Sequence, residues 1–403
     1  MSLSPRIRCF NARYSPNLGD GLLSECLEHQ LIALGAAPDT ASIDLAARGA
    51  YGDVMAGRGT IMAVLDALPG PARRAAVRLP LALQARRRWQ PHYRAGLRGA
   101  EAVAIGGGNL LADLDLNFPT KLSLALGEAR KRGLPAAIYA CGMSGGWSAT
   151  GLRMARRAFA NGALKAVFLR DTASRDLWAE LMQPHTGIAA EVVRDPGLLA
   201  ARVFPAARPA PRPRPVAGIG LMSHLAIRYH AEAAPEADQL DDWFVGLGRA
   251  LLEAGFDLRV FTNGSPEDVS YAARLRPRLA ALAGPERIAF PTQRTPAELC
   301  GHIADLDVLV AYRLHAVIAA ISYGVPAIGL AWDRKLASFL DSIGVGDRLL
   351  DVTRVAPGAA AERMVALARQ PRDEAARQAL LREAAEDVGR LYAALAGASS
   401  AAR

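Results

Sequence analysis

The chain has 403 residues, 51% hydrophobic and 22% charged, which excludes an intrinsically disordered protein and suits two folded domains of roughly 150–200 residues each. The formal net charge is +9, yet only Lys121, Lys131, Lys165 and Lys335 are lysines, so Arg carries nearly all the positive charge, and the basic balance alone selects no partner. Cys9, Cys26, Cys141 and Cys300 are scattered with no CxxC pair, which argues against a metal site and against a disulfide framework in so large a chain.

The opening MSLSPRIRCF holds no apolar core of signal-peptide length, so the expected location is the cytoplasm. Strand candidates begin with Arg6–Phe10, followed by a turn at Asn17-Leu18-Gly19-Asp20-Gly21 and an amphipathic helix over Leu22–Leu34. Ala102–Ile105 reads as a buried strand entering Gly106-Gly107-Gly108-Asn109, and Ala136–Ala140 as another entering Cys141-Gly142-Met143-Ser144. Ala166–Leu169 leads into Arg170-Asp171-Thr172-Ala173-Ser174, and Glu191–Val193 into Arg194-Asp195-Pro196. Apolar strands alternating with helical segments predict a parallel sheet, whose ligands bind beyond the C-terminal strand ends.

Residues 206–215 are rich in Pro, Arg and Ala and read as a semi-rigid linker. Strands then resume at Val216–Leu221, Leu258–Thr262, Val308–Ala311 and Ala327–Leu330. The apolar run Ala316–Trp332 is divided by Gly324 and Pro326, so it is a buried helix and a buried strand, not a membrane span. The expected organisation is a first α/β domain over 1–205, the linker over 206–215, a second over 216–358, and a helical tail over 359–403. The two Rossmann-like parallel-sheet domains would face each other across a cleft.

The stretch 73–98 holds Arg73, Arg74, Arg78, Arg86, Arg87, Arg88, Arg94 and Arg98 around Trp89. A solvated helical face is the plain reading; peripheral contact with the inner membrane is the sharper one. No stacking aromatic array accompanies these arginines, so no nucleic-acid partner is expected. Asp113-Leu114-Asp115 has the spacing of a metal-binding pair, but helix-start capping accounts for it.

The densest constellation is Tyr312-Arg313-Leu314-His315 with Lys335. A buried strand ends at Tyr312 and an apolar helix starts near His315, so free backbone N–H groups and the positive end of a helix dipole meet Arg313 and His315 there. Lys335 follows the next strand and reaches the same sheet edge. Alone, His315 would read as a helix-start histidine satisfied by a carbonyl. Three cationic groups buried at one edge without an anion would be unfavourable, which favours a site for a phosphate or carboxylate.

Asn17-x-Gly19-Asp20, the Gly106–Gly108 loop, Arg170-Asp171-x-x-Ser174, Asp195-Pro196, and Arg313-Leu314-His315 followed by Tyr323-Gly324-Val325-Pro326 and Lys335 resemble, in this order, the motifs of polysaccharide pyruvyl transferases. The resemblance covers about residues 10–350. It implies a GT-B-like α/β fold, no cofactor, phosphoenolpyruvate as donor, and a surface or exopolysaccharide saccharide, free or lipid-linked, as acceptor. Carried over, His315 is the general acid/base, and Arg313, Leu314 and Lys335 hold the donor. Arg170 joins them, or else serves the helix cap with Asp171 and Ser174. Asn17, Gly19, Asp20, Gly107, Gly108, Asn109, His224 and Arg228 are acceptor or cleft candidates; tight turns, helix–sheet packing and surface loops explain them too.

Two rivals remain. A nucleotide-sugar glycosyltransferase on the same fold would commonly hold the ribose with a Glu of the second domain, but no Glu occurs between Glu298 and Glu362; an inverting, sialyltransferase-like enzyme survives that test. A non-catalytic polysaccharide-binding scaffold has no need of the 313/315/335 set.

Overall fold

The computed structural model describes residues 4–53, 80–206, 212–224 and 236–401. Arg73, Arg74, Arg78, Arg228 and residues 207–211 of the Pro-rich linker lie outside them. The chain divides into two compact units, one made of Met1–Ser15, Leu23–Pro196 and Ala384–Arg403, the other of Pro16–Leu22 and Gly197–Glu383. The expected division differs in three places. Residues 16–22 and 197–205 group with the second unit, and the helical tail parts at 383/384.

In the first unit six parallel strands run in the order β2-β1-β3-β4-β5-β6. They are β1 (Ile7–Asn11), β2 (Ala41–Asp44), β3 (Ala102–Gly106), β4 (Ala136–Cys141), β5 (Leu164–Leu169) and β6 (Ala190–Val192). Every residue of β3 and β4 is buried, as expected of central strands covered by helices on both faces. Phe10, Ile105, Ile138 and Trp178 belong to the core beneath them.

The second unit repeats the plan with the order β12-β11-β10-β7-β8-β9: β7 (Val216–Gly220), β8 (Asp257–Phe261), β9 (Ile288–Ala289), β10 (Val308–Ala311), β11 (Ala327–Leu330) and β12 (Leu349–Leu350). β2, β9 and β12 went unpredicted, the last two being only two residues long. From β7 the chain winds outward through β8 and β9, then returns to lay β10 on the opposite side of β7. That reversal is a topological switch point, where loops splay apart beyond the strand ends and leave room for a ligand.

Residues 18–21 of the expected 17–21 turn are the first residues of the helix Leu18–Ala33. Asn17 opens it: its Oδ1 accepts from Gly19 N–H at 3.3 Å and its carbonyl from Asp20 N–H at 3.0 Å, satisfying donors the first helical turn leaves unpaired. The helix Glu374–Ala401 closes the chain. No helix of the described residues is long and apolar enough to cross a membrane.

Candidate functional site

At the switch point of the second sheet, β10 ends at Ala311 and the helix Leu314–Tyr323 begins three residues later, with Arg313 at its N-cap in extended conformation. The helix is almost wholly buried and stops at Gly324, whose φ of 71° is the left-handed geometry that ends helices. Tyr323 Oη donates to the Phe204 carbonyl at 2.6 Å. The Tyr-Gly-x-Pro run is thus a helix stop and an anchor.

Arg313 does not stand there as a bare cation. Its Nε and Nη2 donate to one oxygen of Asp268, at 2.9 and 2.6 Å, and the Asp268 side chain is 0% exposed. The other Asp268 oxygen accepts from the Ser223 N–H at 3.0 Å. The segments that follow β7, β8 and β10 therefore meet on one carboxylate. Burial raises the Asp268 carboxyl above its ordinary value, with Arg313 and Ser223 pulling the other way. The pair fixes the guanidinium and leaves its Nη1 outside the Asp268 bonds. Across the neighbouring strand, the Arg313 guanidinium carbon lies 6.0 Å from the centre of the Trp332 ring.

Lys335 lies in the first turn of the helix Arg334–Ser342, beyond β11. Its Nζ is 3.3 Å from an oxygen of Asp333, which also caps the helix by accepting from the N–H groups of Lys335 and Leu336. The expectation of three cations lacking an internal anion is corrected here: Arg313 and Lys335 each have a carboxylate of their own. The sequence missed Asp268 because it lies in the first turn of the helix Pro266–Ala280, where an acidic residue reads simply as a complement to the helix dipole.

His315 is 7% exposed, in the first turn of its helix. A Cβ built on Gly19 would stand 2.6 Å from the His315 Cβ and 2.7 Å from its Nδ1. The segment 16–22 is seated in this unit by the Leu18 N–H, which donates to the Asn263 carbonyl at 2.8 Å. The structure thus brings the Asn17–Asp20 motif to His315. His224 directly follows Ser223, next to the Asp268 clamp; Arg228 lies outside the described residues.

In the first unit the glycine loop after β3 is a packing device. Gly107 has a φ of 80°, and a Cβ there would fall 1.8 Å from Leu23 Cδ1, so helix and loop touch where only hydrogen fits. Gly108 offers its carbonyl to the Gly142 N–H at 2.8 Å, and Asn109 Nδ2 donates to Ser144 Oγ at 2.8 Å. The Arg170-Asp-x-x-Ser motif divides its labour. Asp171 caps the helix Thr172–Leu181 by accepting from Ser174 N–H at 2.7 Å, and Ser174 Oγ accepts from Met143 N–H at 2.8 Å. Arg170 is ion-paired with the capping carboxylate. Its side chain is 5% exposed with Nε 3.6 Å from Asp171, and neither Nε nor Nη2 has a hydrogen-bond partner among the described residues.

Of the arginines in 73–98, Arg88 Nη2 donates to the Ala47 carbonyl at 3.3 Å and Arg94 Nε to Glu128 at 3.2 Å. Arg86, Arg87 and Arg98 are exposed.

Two parallel-sheet units with flanking helices define a two-domain, Rossmann-like fold of the GT-B type, shared with sugar-nucleotide epimerases and glycosyltransferases. A glycosyltransferase from Rickettsia africae matches with a TM-score of 0.50 at 11% identity, over 96% of this chain and 98% of that one. The UDP-GlcNAc 2-epimerase of Neisseria meningitidis matches with a TM-score of 0.50 at 10% identity, over 96% and 98%. That of Methanocaldococcus jannaschii gives 0.50 at 9% identity, over 91% and 93%. At such identities the likeness bears on the fold alone. No curated protein matches the chain. The sequence nonetheless belongs to the polysaccharide pyruvyl transferase family, whose model matches residues 17–334.

Proposed function

We propose that the chain transfers the pyruvyl group of phosphoenolpyruvate to two hydroxyls of a saccharide, with His315 as general acid and base. One observation carries the assignment: an imidazole at a helix start, pressed against Gly19 and two residues from a guanidinium held by Asp268. Family membership supports the choice of transferred group.

In the proposed reaction protonated His315 gives its proton to C3 of the enol as a sugar hydroxyl attacks C2, converting the CH₂ terminus into a methyl group. The hydroxyl's proton returns to the imidazole. A second hydroxyl then bonds to C2 as the C–O bond to phosphate breaks; its proton passes to the departing phosphate oxygen, and inorganic phosphate leaves with the ketal closed and the pyruvyl carboxylate intact. Imidazole suits both directions of proton transfer because its ordinary pKa lies near neutrality. Arg313 and Lys335 are the candidate donor contacts in this unit, charge-assisted bonds of about 1.5–3 kcal/mol each. Their carboxylate partners moderate the local positive charge and hold the side chains in place. In the first unit Arg170, whose buried Nε and Nη2 make no hydrogen bond among the described residues, is the candidate anion contact.

The test is phosphate release from phosphoenolpyruvate over a panel of glycan acceptors, for wild type and His315→Ala. Wild type is expected to release phosphate only when an acceptor is present, and the variant to lose about 10²–10⁴-fold. Near-normal turnover by His315→Ala overturns the role of His315. A thermal shift with nucleotide sugars but none with phosphoenolpyruvate overturns the donor and favours glycosyl transfer.

A further inference from the structure

Beyond β3 and β4 the first unit carries a cavity of about 560 Å³, inside the roughly 300–1,000 Å³ span of small-molecule sites. Its wall includes Asp113, Leu114, Asp115, Trp147, Ser148 and Thr150. None of these residues is part of the candidate sites above.

The frame of this cavity is tightly determined. Leu111 and Met143 form a parallel bridge, and the Leu111 carbonyl accepts from the Ser144 N–H at 2.9 Å. Asp113 then ties both loops together: one oxygen accepts from Leu116 N–H and the other from Ser148 N–H, each at 2.7 Å. A Cβ on Gly151 would fall 2.4 Å from the Asp113 carboxylate, so the next helix closes over that clamp. Held this way, Leu114, Asp115 and Leu116 take φ angles of 42°, 55° and 68° in succession. Such a run of left-handed non-glycine residues is unfavourable and persists only where its surroundings impose it. Leu114 is left strongly exposed at the cavity wall. On the opposite loop the Trp147 indole N–H donates to the Ser144 carbonyl at 2.7 Å, which pins the ring.

We infer that this cavity is a saccharide subsite, taking one neutral sugar ring of the acceptor glycan on the face of Trp147. The inference rests on the proposed use of a saccharide acceptor. A pyranose has a flat C–H face and a polar hydroxyl rim. A fixed indole offers a matching apolar plane, and Asp115 and Thr150 line the same cavity. The lining includes aspartates and no Lys or Arg among the described residues, which disfavours phosphoenolpyruvate or a nucleotide diphosphate as occupant.

The experiment titrates the full-length protein with lactose, maltose, cellobiose and N-acetyllactosamine, following tryptophan fluorescence, in wild type, Trp147→Ala and Trp147→Leu. The leucine variant keeps apolar bulk should the alanine variant fold poorly. At least one disaccharide is expected to change the wild-type signal, and the change is expected to vanish in both variants. With an active acceptor, the variants raise the acceptor KM about tenfold and leave the phosphoenolpyruvate KM within about twofold. A sugar response that survives loss of Trp147, no response to any sugar, or a Trp147-dependent response to phosphoenolpyruvate overturns the subsite. A Trp147-dependent sugar response without phosphoenolpyruvate turnover on any acceptor upholds the subsite and overturns the proposed transfer instead.

Discussion

Gly19 and His315 occupy each other's space: a methyl group on the glycine would lie 2.6 Å from the histidine Cβ and 2.9 Å from its Cγ. The imidazole is positioned by the absence of a side chain on a helix that starts almost three hundred residues earlier in the sequence. Gly19→Ala is therefore expected to push His315 from its place and lower kcat roughly 10–100-fold, as displacements near 1 Å do at reacting groups. Alanine favours a helix by up to about 1 kcal/mol over glycine, so part of the steric cost to stability is offset and turnover falls more than melting temperature. A steady-state comparison beside a melting curve checks this. Unchanged kcat means the imidazole either tolerates the shift or does not act.

Arg313 and Asp268 form a second dependency. Removing Arg313 strands a carboxylate that is 0% exposed, a loss of about 3–5 kcal/mol for a buried pair broken from one side. Arg313→Ala should therefore melt well below wild type. The double variant Asp268→Ala with Arg313→Ala should be less destabilised than the two single losses added together, while remaining inactive. Denaturant unfolding of the four proteins gives the coupling directly. Additive losses would mean that the two side chains are not coupled in the fold.

Burial pushes the Cys141 thiol up to about 12 despite the nearby Arg170. At pH 8 it is thus almost entirely protonated, and all four cysteines are buried. Native protein should resist iodoacetamide at pH 8 and keep its activity, whereas denatured protein labels fully. The sign for stability follows from the raised value. The unfolded thiol ionises near pH 9 and the folded one near pH 12, so this contribution is complete below pH 9 and is lost as pH rises toward 12. Cys141→Ala should flatten part of that alkaline decline in a series of melting curves. Rapid labelling of Cys141 in the native state would contradict its burial.

The central strands were legible because β3, β4 and β10 are continuous apolar runs that only a sheet covered on both faces can bury. β9 and β12 were not, since two residues carry no period. The 17–21 segment misled for a related reason. Its two glycines read as a turn, whereas Asn17 supplies the cap that lets the helix begin at Leu18.

The sequence by itself determined the α/β class, the family and the adjacency of Arg313 and His315, because burial patterns and short motifs act over neighbouring residues. It could not determine which charges answer one another. Tertiary structure decided that Arg313 is held by Asp268, that Gly19 makes room for His315, and that Asp113 and Trp147 frame a cavity. Each of these contacts depends on how strands are ordered in a sheet, and strand order brings together residues whose separation along the chain leaves no local trace.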